Sequence, residues 1–268
     1  MSKKLVEWFG GQIEKDDALG YPRVCAHRGF NTVAPENTMP AWASAVAVGA
    51  PEIEFDLWMT KDGVIVSCHD PDLDRVSNGT GFVFEHTLAQ LENYDFGCKF
   101  GEKFKGLKIV KFSDILEKFA KRVIMNIHVK TKGLFDSFDK TVLDKIVNLI
   151  DKYDCREYVY FMANNDNILQ VAKDYYPDIK RCCGYHEPGF DMVERAIKYD
   201  CKKVQLFKPY FNQEMIVKAH ENGIRCNVFY ADEPEEAINY LNMGIDTILT
   251  NDYLPIANAI KKYLNEKK

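Results

Sequence analysis

Val123-Ile124-Met125-Asn126-Ile127-His128-Val129-Lys130 opens the part of the chain whose rhythm decides its architecture. Met125, Ile127 and Val129 alternate with Asn126, His128 and Lys130, the two-residue period of a strand with one apolar face. Further short runs rich in β-branched and aromatic residues follow at 158–163, 180–185, 203–207, 225–230 and 246–250. Amphipathic stretches lie between them, at 134–153, 168–175, 191–199, 213–222 and 234–243, and another follows at 254–262. A strand every 20 to 35 residues with one helix between is the cadence of βαβ units and a parallel sheet. Asn212 is placed to cap the helix after it, and Gly223 and Gly244 each follow a last helical turn.

Upstream, candidate strands lie at 24–29, 52–58 and 64–69 and candidate helices at 38–48 and 112–121. With 64–69 taken as a continuation beside the second strand, eight strands keep the rhythm. They predict an α/β fold, a (β/α)8 TIM barrel, as a single domain over residues 1–268. A doubly wound open sheet is the alternative, but no glycine-rich phosphate loop follows the first strand. Residues 70–111 break the cadence with several glycines and the aromatics Phe82, Phe84, Tyr94, Phe96, Phe100 and Phe104. They are expected to form a small insertion after the second strand, packed by these aromatics over the barrel mouth.

The totals narrow the function classes. The chain is 46% apolar and 28% charged, ordinary for a globular protein, and carries a formal charge of −5. An acidic balance speaks against a nucleic-acid partner, which would favour a basic stripe. No apolar run is long enough to span a bilayer, so no stable membrane insertion is expected. Residues 1–20 lack the apolar core of a secretion signal. The eight cysteines are scattered, with no C-x-x-C, and several fall in apolar runs. Reduced core thiols in a cytoplasmic protein are the expectation.

The chemistry-bearing residues gather between His27 and Asp70 and again at 128–130. Glu54 and Asp56 are two apart on a predicted strand, so both point to one face, opposite Ile53, Phe55 and Leu57. Carboxylates that close repel unless a cation lies between them, and a divalent ion with oxygen ligands resolves the conflict. Two surface acids at a solvated strand end are the plainer alternative. His27 and His69 close two apolar runs, which places both at the mouth beside the carboxylates as an acid–base pair. Arg28 can hold a phosphate through two parallel hydrogen bonds, with a salt bridge to Glu36 as the alternative. Gly29 allows a sharp turn after the strand. His128 is a candidate third metal ligand and Lys130 a phosphate contact, unless that strand end simply faces water.

Ala26-His27-Arg28-Gly29, Pro35-Glu36-Asn37-Thr38, Glu54-Phe55-Asp56, Thr60-Lys61-Asp62-Gly63 and His69-Asp70-Pro71 stand in that order, and Leu249-Thr250-Asn251 lies near the end. Together they resemble the glycerophosphodiester phosphodiesterase family, a phosphatidylinositol-phosphodiesterase-like TIM barrel. The resemblance runs from Val24 to the C-terminus. It implies a barrel with an inserted segment after the second strand and metal-dependent hydrolysis of glycerophosphodiesters to glycerol phosphate and an alcohol. It places a divalent cation on Glu54 and Asp56, catalytic roles at His27 and His69, and phosphate contacts at Arg28 and Lys130. Glu36 and Asn37 stand behind these groups as supports.

Three positions depart from the family's pattern. His128 stands where a glutamate ligand is usual, Phe229 where tryptophan is frequent, and Asn251 where aspartate is frequent. Mg2+ or Ca2+ is the expected ion, and the imidazole of His128 admits a transition metal. The expected partner is a small-molecule glycerophosphodiester, with Glu187, Phe207, Lys208, Phe229 and Tyr230 as candidate rim residues for its alcohol. Two other readings stay open: a phospholipase D-like lyase acting on lysophospholipids, and a non-catalytic barrel that binds a phosphoester.

Overall fold

In a computed structural model, residues 12–133, 137–186 and 189–267 are described. The strands are β1 (Arg23–Ala26), β2 (Glu52–Met59), β3 (Ile65–Ser67), β4 (Val110–Lys111), β5 (Ile124–Val129), β6 (Val159–Ala163), β7 (Lys180–Cys183), β8 (Lys203–Phe207), β9 (Arg225–Phe229) and β10 (Thr247–Thr250). The α-helices are α1 (Met39–Ala47), α2 (Leu88–Leu91), α3 (Phe112–Phe119), α4 (Lys140–Lys152), α5 (Asp166–Tyr175), α6 (Met192–Lys198), α7 (Gln213–Glu221), α8 (Pro234–Met243) and α9 (Tyr253–Glu266). β1, β2 and β5 to β10 pair in parallel, and the β1–β2 and β1–β10 pairings close the ring into an eight-stranded barrel.

Parallel register fixes which side chains share the interior. Glu54 lies beside Asn126, Asp56 beside His128, and His128 beside Met162. The intervening residues point outward to the helices, as Phe55 does against Trp42 and Phe112, with ring centroids 5.6 and 6.0 Å away. Helix ends follow local chemistry. Asn212 accepts a hydrogen bond from Met215 N, Gly244 ends α8 at φ 99°, and Asn165 caps α5 through Asn167 N and Ile168 N. α4 begins at Lys140, capped by Asp139. The expected start of that helix at 134 falls outside the described residues. α9 runs past the expected stop at 262, where Leu264 still packs on the core.

The 64–69 run differs from a barrel strand in direction. β3 returns antiparallel along the end of β2, with Ser67 opposite Leu57, and β4 pairs antiparallel with β3. The chain therefore climbs past the barrel mouth on β2 and descends to it on β3. His69 reaches the mouth by this hairpin. The excursion around β3 and β4 has an apolar cluster of its own, which includes Trp58, Val66, Leu73, Val83, Leu91 and Phe96.

The opposite end of the barrel is closed by buried charge. Asp16 lies 2.5 Å from Arg23, 3.0 Å from Lys203 and 2.9 Å from Lys180, and Tyr160 donates to Glu52 at 2.5 Å. Burial pushes the Asp16 carboxyl upward, but Lys203, Lys180 and Arg23 outweigh it and hold it far below the usual range. Nothing in the local sequence around Asp16 signals this plug, because its partners come from β1, β7 and β8.

Candidate active site

Arg28 and Gly29 both take positive φ, at 55° and 86°, in the turn that leaves β1. A Cβ at Gly29 would lie 2.6 Å from the Ala41 carbonyl carbon, so glycine is needed both for the turn and for the close approach of α1. The turn directs the Arg28 backbone N–H at Glu54 Oε2, 2.9 Å away. Arg28 Nε stands 3.7 Å from Asp56 Oδ2, and its Nη1 donates to Glu36 Oε1 at 2.9 Å. The sequence offered phosphate binding and a Glu36 salt bridge as alternatives; the guanidinium does pair with Glu36 and still borders Asp56.

Asp56 is the hub. Lys130 Nζ lies 2.9 Å and His128 Nδ1 3.1 Å from Oδ1, while Asn37 Nδ2 donates to Oδ2 at 2.8 Å. Asn37 Oδ1 in turn accepts from Asp56 N and Ser67 Oγ, so one amide fixes both the carboxylate and the returning β3. Burial raises the Asp56 carboxyl, yet Lys130 and the His128 contact prevail and hold it well below the ordinary carboxylate range. Glu54 moves the other way, raised by burial and then by the Asp56 charge. The imidazole of His128 is pushed down to about 3 by burial and by Lys130, against the pull of Asp56. It is therefore neutral, the form that ligates a metal.

Ligand atoms of Glu54, Asp56 and His128 all lie within 4.8 Å of one another. Asp56 Oδ1 is buried and makes no aligned hydrogen bond among the described residues, despite its two close nitrogens. Two carboxylates and a neutral imidazole around such an oxygen fit a divalent cation. A second cluster, His220, Cys226 and Asp246, sits at the other end of the barrel. Its carboxylate is already taken by His220, Arg225 and the Cys226 backbone N–H.

The two expected histidines stand in different settings, His27 beside Glu54 and His69 in the lining of the cavity it shares with His128 and Lys130. His27 Nε2 is 3.9 Å from Glu54 Oε2, and its Nδ1 is 2.7 Å from Asn251 Oδ1. Asn251 Nδ2 donates to Asp232 Oδ2 at 2.7 Å, which fixes the amide so that its oxygen faces the ring. Nδ1 of His27 is thus the protonated nitrogen, and Nε2 carries the lone pair. Burial and the neighbouring Arg28 lower the His27 imidazole to about 4. His69 instead donates from Nδ1 to a carboxylate, Asp70 Oδ1, at 2.6 Å. Asp70 holds Arg75 at 2.5 Å, and Arg75 grips Glu36 with two bonds of 2.7 Å.

All nine residues expected at the site, His27, Arg28, Glu36, Asn37, Glu54, Asp56, His69, His128 and Lys130, gather in this network at the mouth. Of the rim, Phe229 meets the His27 ring edge-on at 4.8 Å and stacks on Phe207 at 4.7 Å. Lys208 is tied instead to Glu236 at 2.9 Å, and Glu187 lies outside the described residues. Sequence reasoning missed Trp58, Arg75 and Asp232. Trp58 lies on the apolar-reading end of β2 yet lines a cavity of about 290 Å3 with His69, Asp70, His128 and Lys130. Arg75 sits in an aperiodic stretch, and Asp232 acts only through Asn251.

A sequence profile described as the glycerophosphoryl diester phosphodiesterase family matches residues 27–254. The chain belongs to that family. A glycerophosphodiester phosphodiesterase of Caldanaerobacter subterraneus subsp. tengcongensis is 32% identical over 89% of this chain and 98% of its own length. One of Bacillus subtilis is 38% identical over 88% of this chain and 85% of its own. Among solved structures, a phosphodiesterase of Oleispira antarctica, in complex with the product sn-glycerol-3-phosphate, superposes with a TM-score of 0.82 at 24% identity. That likeness covers 90% of this chain and 97% of the other, and it shows the shared barrel. The family reaction, hydrolysis of glycerophosphodiesters, is thus the chain's own, with a possible metal site at Glu54, Asp56 and His128. Among the described residues no helix is long and apolar enough to cross a membrane.

Proposed function

We propose that the barrel mouth hydrolyses a glycerophosphodiester with Glu54, Asp56 and His128 holding a divalent cation and His27 and His69 moving the protons. The observation that carries this reading is the convergence of His27, Arg28, His128 and Lys130 on Glu54 and Asp56, with His69 lining the same cavity as His128 and Lys130. When bound, the cation would neutralise charge on the phosphate and polarise it. Arg28 and Lys130 flank the same carboxylate and supply donors to the phosphate oxygens, stabilising charge as it shifts to the leaving oxygen. His27, neutral with its lone pair on Nε2, accepts the proton of the nucleophile, either water or the neighbouring glycerol hydroxyl, whose cyclic phosphate water then opens. Burial lowers the His69 imidazole, against the pull of Asp56 and the Asp70 hydrogen bond, so it gives up a proton readily; with Asp70 orienting its ring, His69 protonates the departing alcohol. The product found in the Oleispira antarctica phosphodiesterase, sn-glycerol-3-phosphate, fits glycerol phosphate as the product here. A cytoplasmic setting is supported by the eight free cysteines, all buried except the partly exposed Cys98. The reading is tested by following glycerophosphoglycerol hydrolysis after chelation and re-addition of metal; turnover that survives chelation refutes it.

His128 sets the choice of ion. We propose Mg2+ or Ca2+ at the site, held less tightly than by three carboxylates and open to competition from Mn2+ or Zn2+. His128→Glu is expected to tighten Mg2+ by about tenfold and to weaken Zn2+, as read by calorimetric titration of each ion. Metal uptake should also release protons. The metal-free Glu54 carboxyl is raised, so near pH 6 it holds a proton that ligation must expel. Affinity therefore rises with pH through neutrality, and titrations in two buffers of different ionisation heat should show release of about one proton.

A further inference from the structure

Lys130 and Lys132, which follow β5, both line a second cavity of about 320 Å3. It shares Trp58, Lys130, Thr131 and Lys132 with the cavity at His69. A phosphoester bound at Lys130 therefore has one of its substituents open to this space. The outer wall is aromatic, with Phe84 tilted against Trp58 at 5.7 Å and stacked on Phe82 at 5.2 Å. Lys132 Nζ stands 4.2 Å above the Phe84 ring, and among the described residues no carboxylate pairs with it. Lys130 is held by Asp56, so the two lysines differ. Among the described residues the acid in this lining is the exposed Asp139, one oxygen of which caps α4 by accepting from Thr141 N.

We propose that this cavity receives the alcohol part of the substrate and selects an alcohol that carries a second phosphate, paired by Lys132. The proposal rests on the reading of the mouth as the phosphodiester site and adds the class of substrate. A choline or ethanolamine head needs an open aromatic face or a free carboxylate. Here the Phe84 face already carries the Lys132 ammonium, which would repel a cationic head, and the described lining acid, Asp139, spends one oxygen on capping α4. A hydrocarbon chain would take no favourable contact from the exposed Lys132 ammonium. A phosphate does: it gives the ammonium a counter-charge that no described carboxylate supplies, while Phe84 keeps the lysine stem in place. The aromatic wall leaves room for the carbon and hydroxyl faces of a polyol between the two phosphates.

The test compares kcat/KM for bis(glycerophospho)glycerol, glycerophosphoglycerol and glycerophosphocholine in the metal-loaded full chain. Wild type should favour the first. Lys132→Met, which keeps the stem over Phe84, should lose about tenfold on that substrate and stay within about twofold on the other two. Lys132→Glu should move the preference toward glycerophosphocholine. Equal losses on all three substrates, or no loss on bis(glycerophospho)glycerol, would overturn the subsite while leaving the phosphodiesterase reading in place. Absence of wild-type turnover on all three with every divalent cation tried would overturn both.

Discussion

Asp56→Asn is expected to weaken divalent-metal binding by at least about a hundredfold and to remove measurable hydrolysis with it. The substitution keeps shape and takes away charge. Lys130, His128, Arg28 and Asn37 all converge on this one carboxylate, so the partly buried Lys130 loses its nearest counter-charge and Arg28 keeps only Glu36. Removing one partner of a buried ion pair costs about 3–5 kcal/mol, so a marked fall in thermal midpoint should accompany the loss. Calorimetric metal titration and thermal unfolding read the two effects separately. Metal affinity at the wild-type level in Asp56→Asn would show that the ion is held elsewhere.

The second large effect separates the two histidines. His69→Ala should lower kcat on glycerophosphoglycerol by about 100- to 10,000-fold with little change in KM, and His27→Ala should do the same. A p-nitrophenyl ester of glycerol phosphate distinguishes them, because p-nitrophenolate leaves without a proton. If His69 is the acid, most of its loss is recovered on that substrate. If His27 is the base, its loss is not. The settings of the two rings motivate this assignment. A neutral amide, Asn251, backs His27, and a carboxylate, Asp70, backs His69. Recovery in His27→Ala and not in His69→Ala would reverse the roles.

The parallel barrel was legible because each βαβ unit writes its own period and its own caps, as at Asn212 and Gly244. The shared face of Glu54 and Asp56 was legible because two acids at i and i+2 on a strand must share a face, and register then sets His128 beside Asp56. Direction was not legible for residues 64–69. An apolar run reads alike whether it runs parallel or antiparallel, and the hairpin partner of β2 appears only in the pairing. Supports that act across the chain were equally silent. Arg75 joins Asp70 to Glu36 from an aperiodic segment, Asp232 orients the amide that orients His27, and Asp16 plugs the barrel floor from before the first strand. Each is an ordinary charged residue locally and gains meaning only from partners distant in sequence.

The central claim is that Glu54, Asp56 and His128 together hold the ion. Anomalous scattering from crystals loaded with Mn2+ tests it most directly. The account predicts one dominant peak within about 2.5 Å of a Glu54 oxygen, an Asp56 oxygen and a His128 ring nitrogen. A peak at His220, Cys226 and Asp246 instead, or one at the mouth that leaves His128 without a bond to the metal, would contradict it.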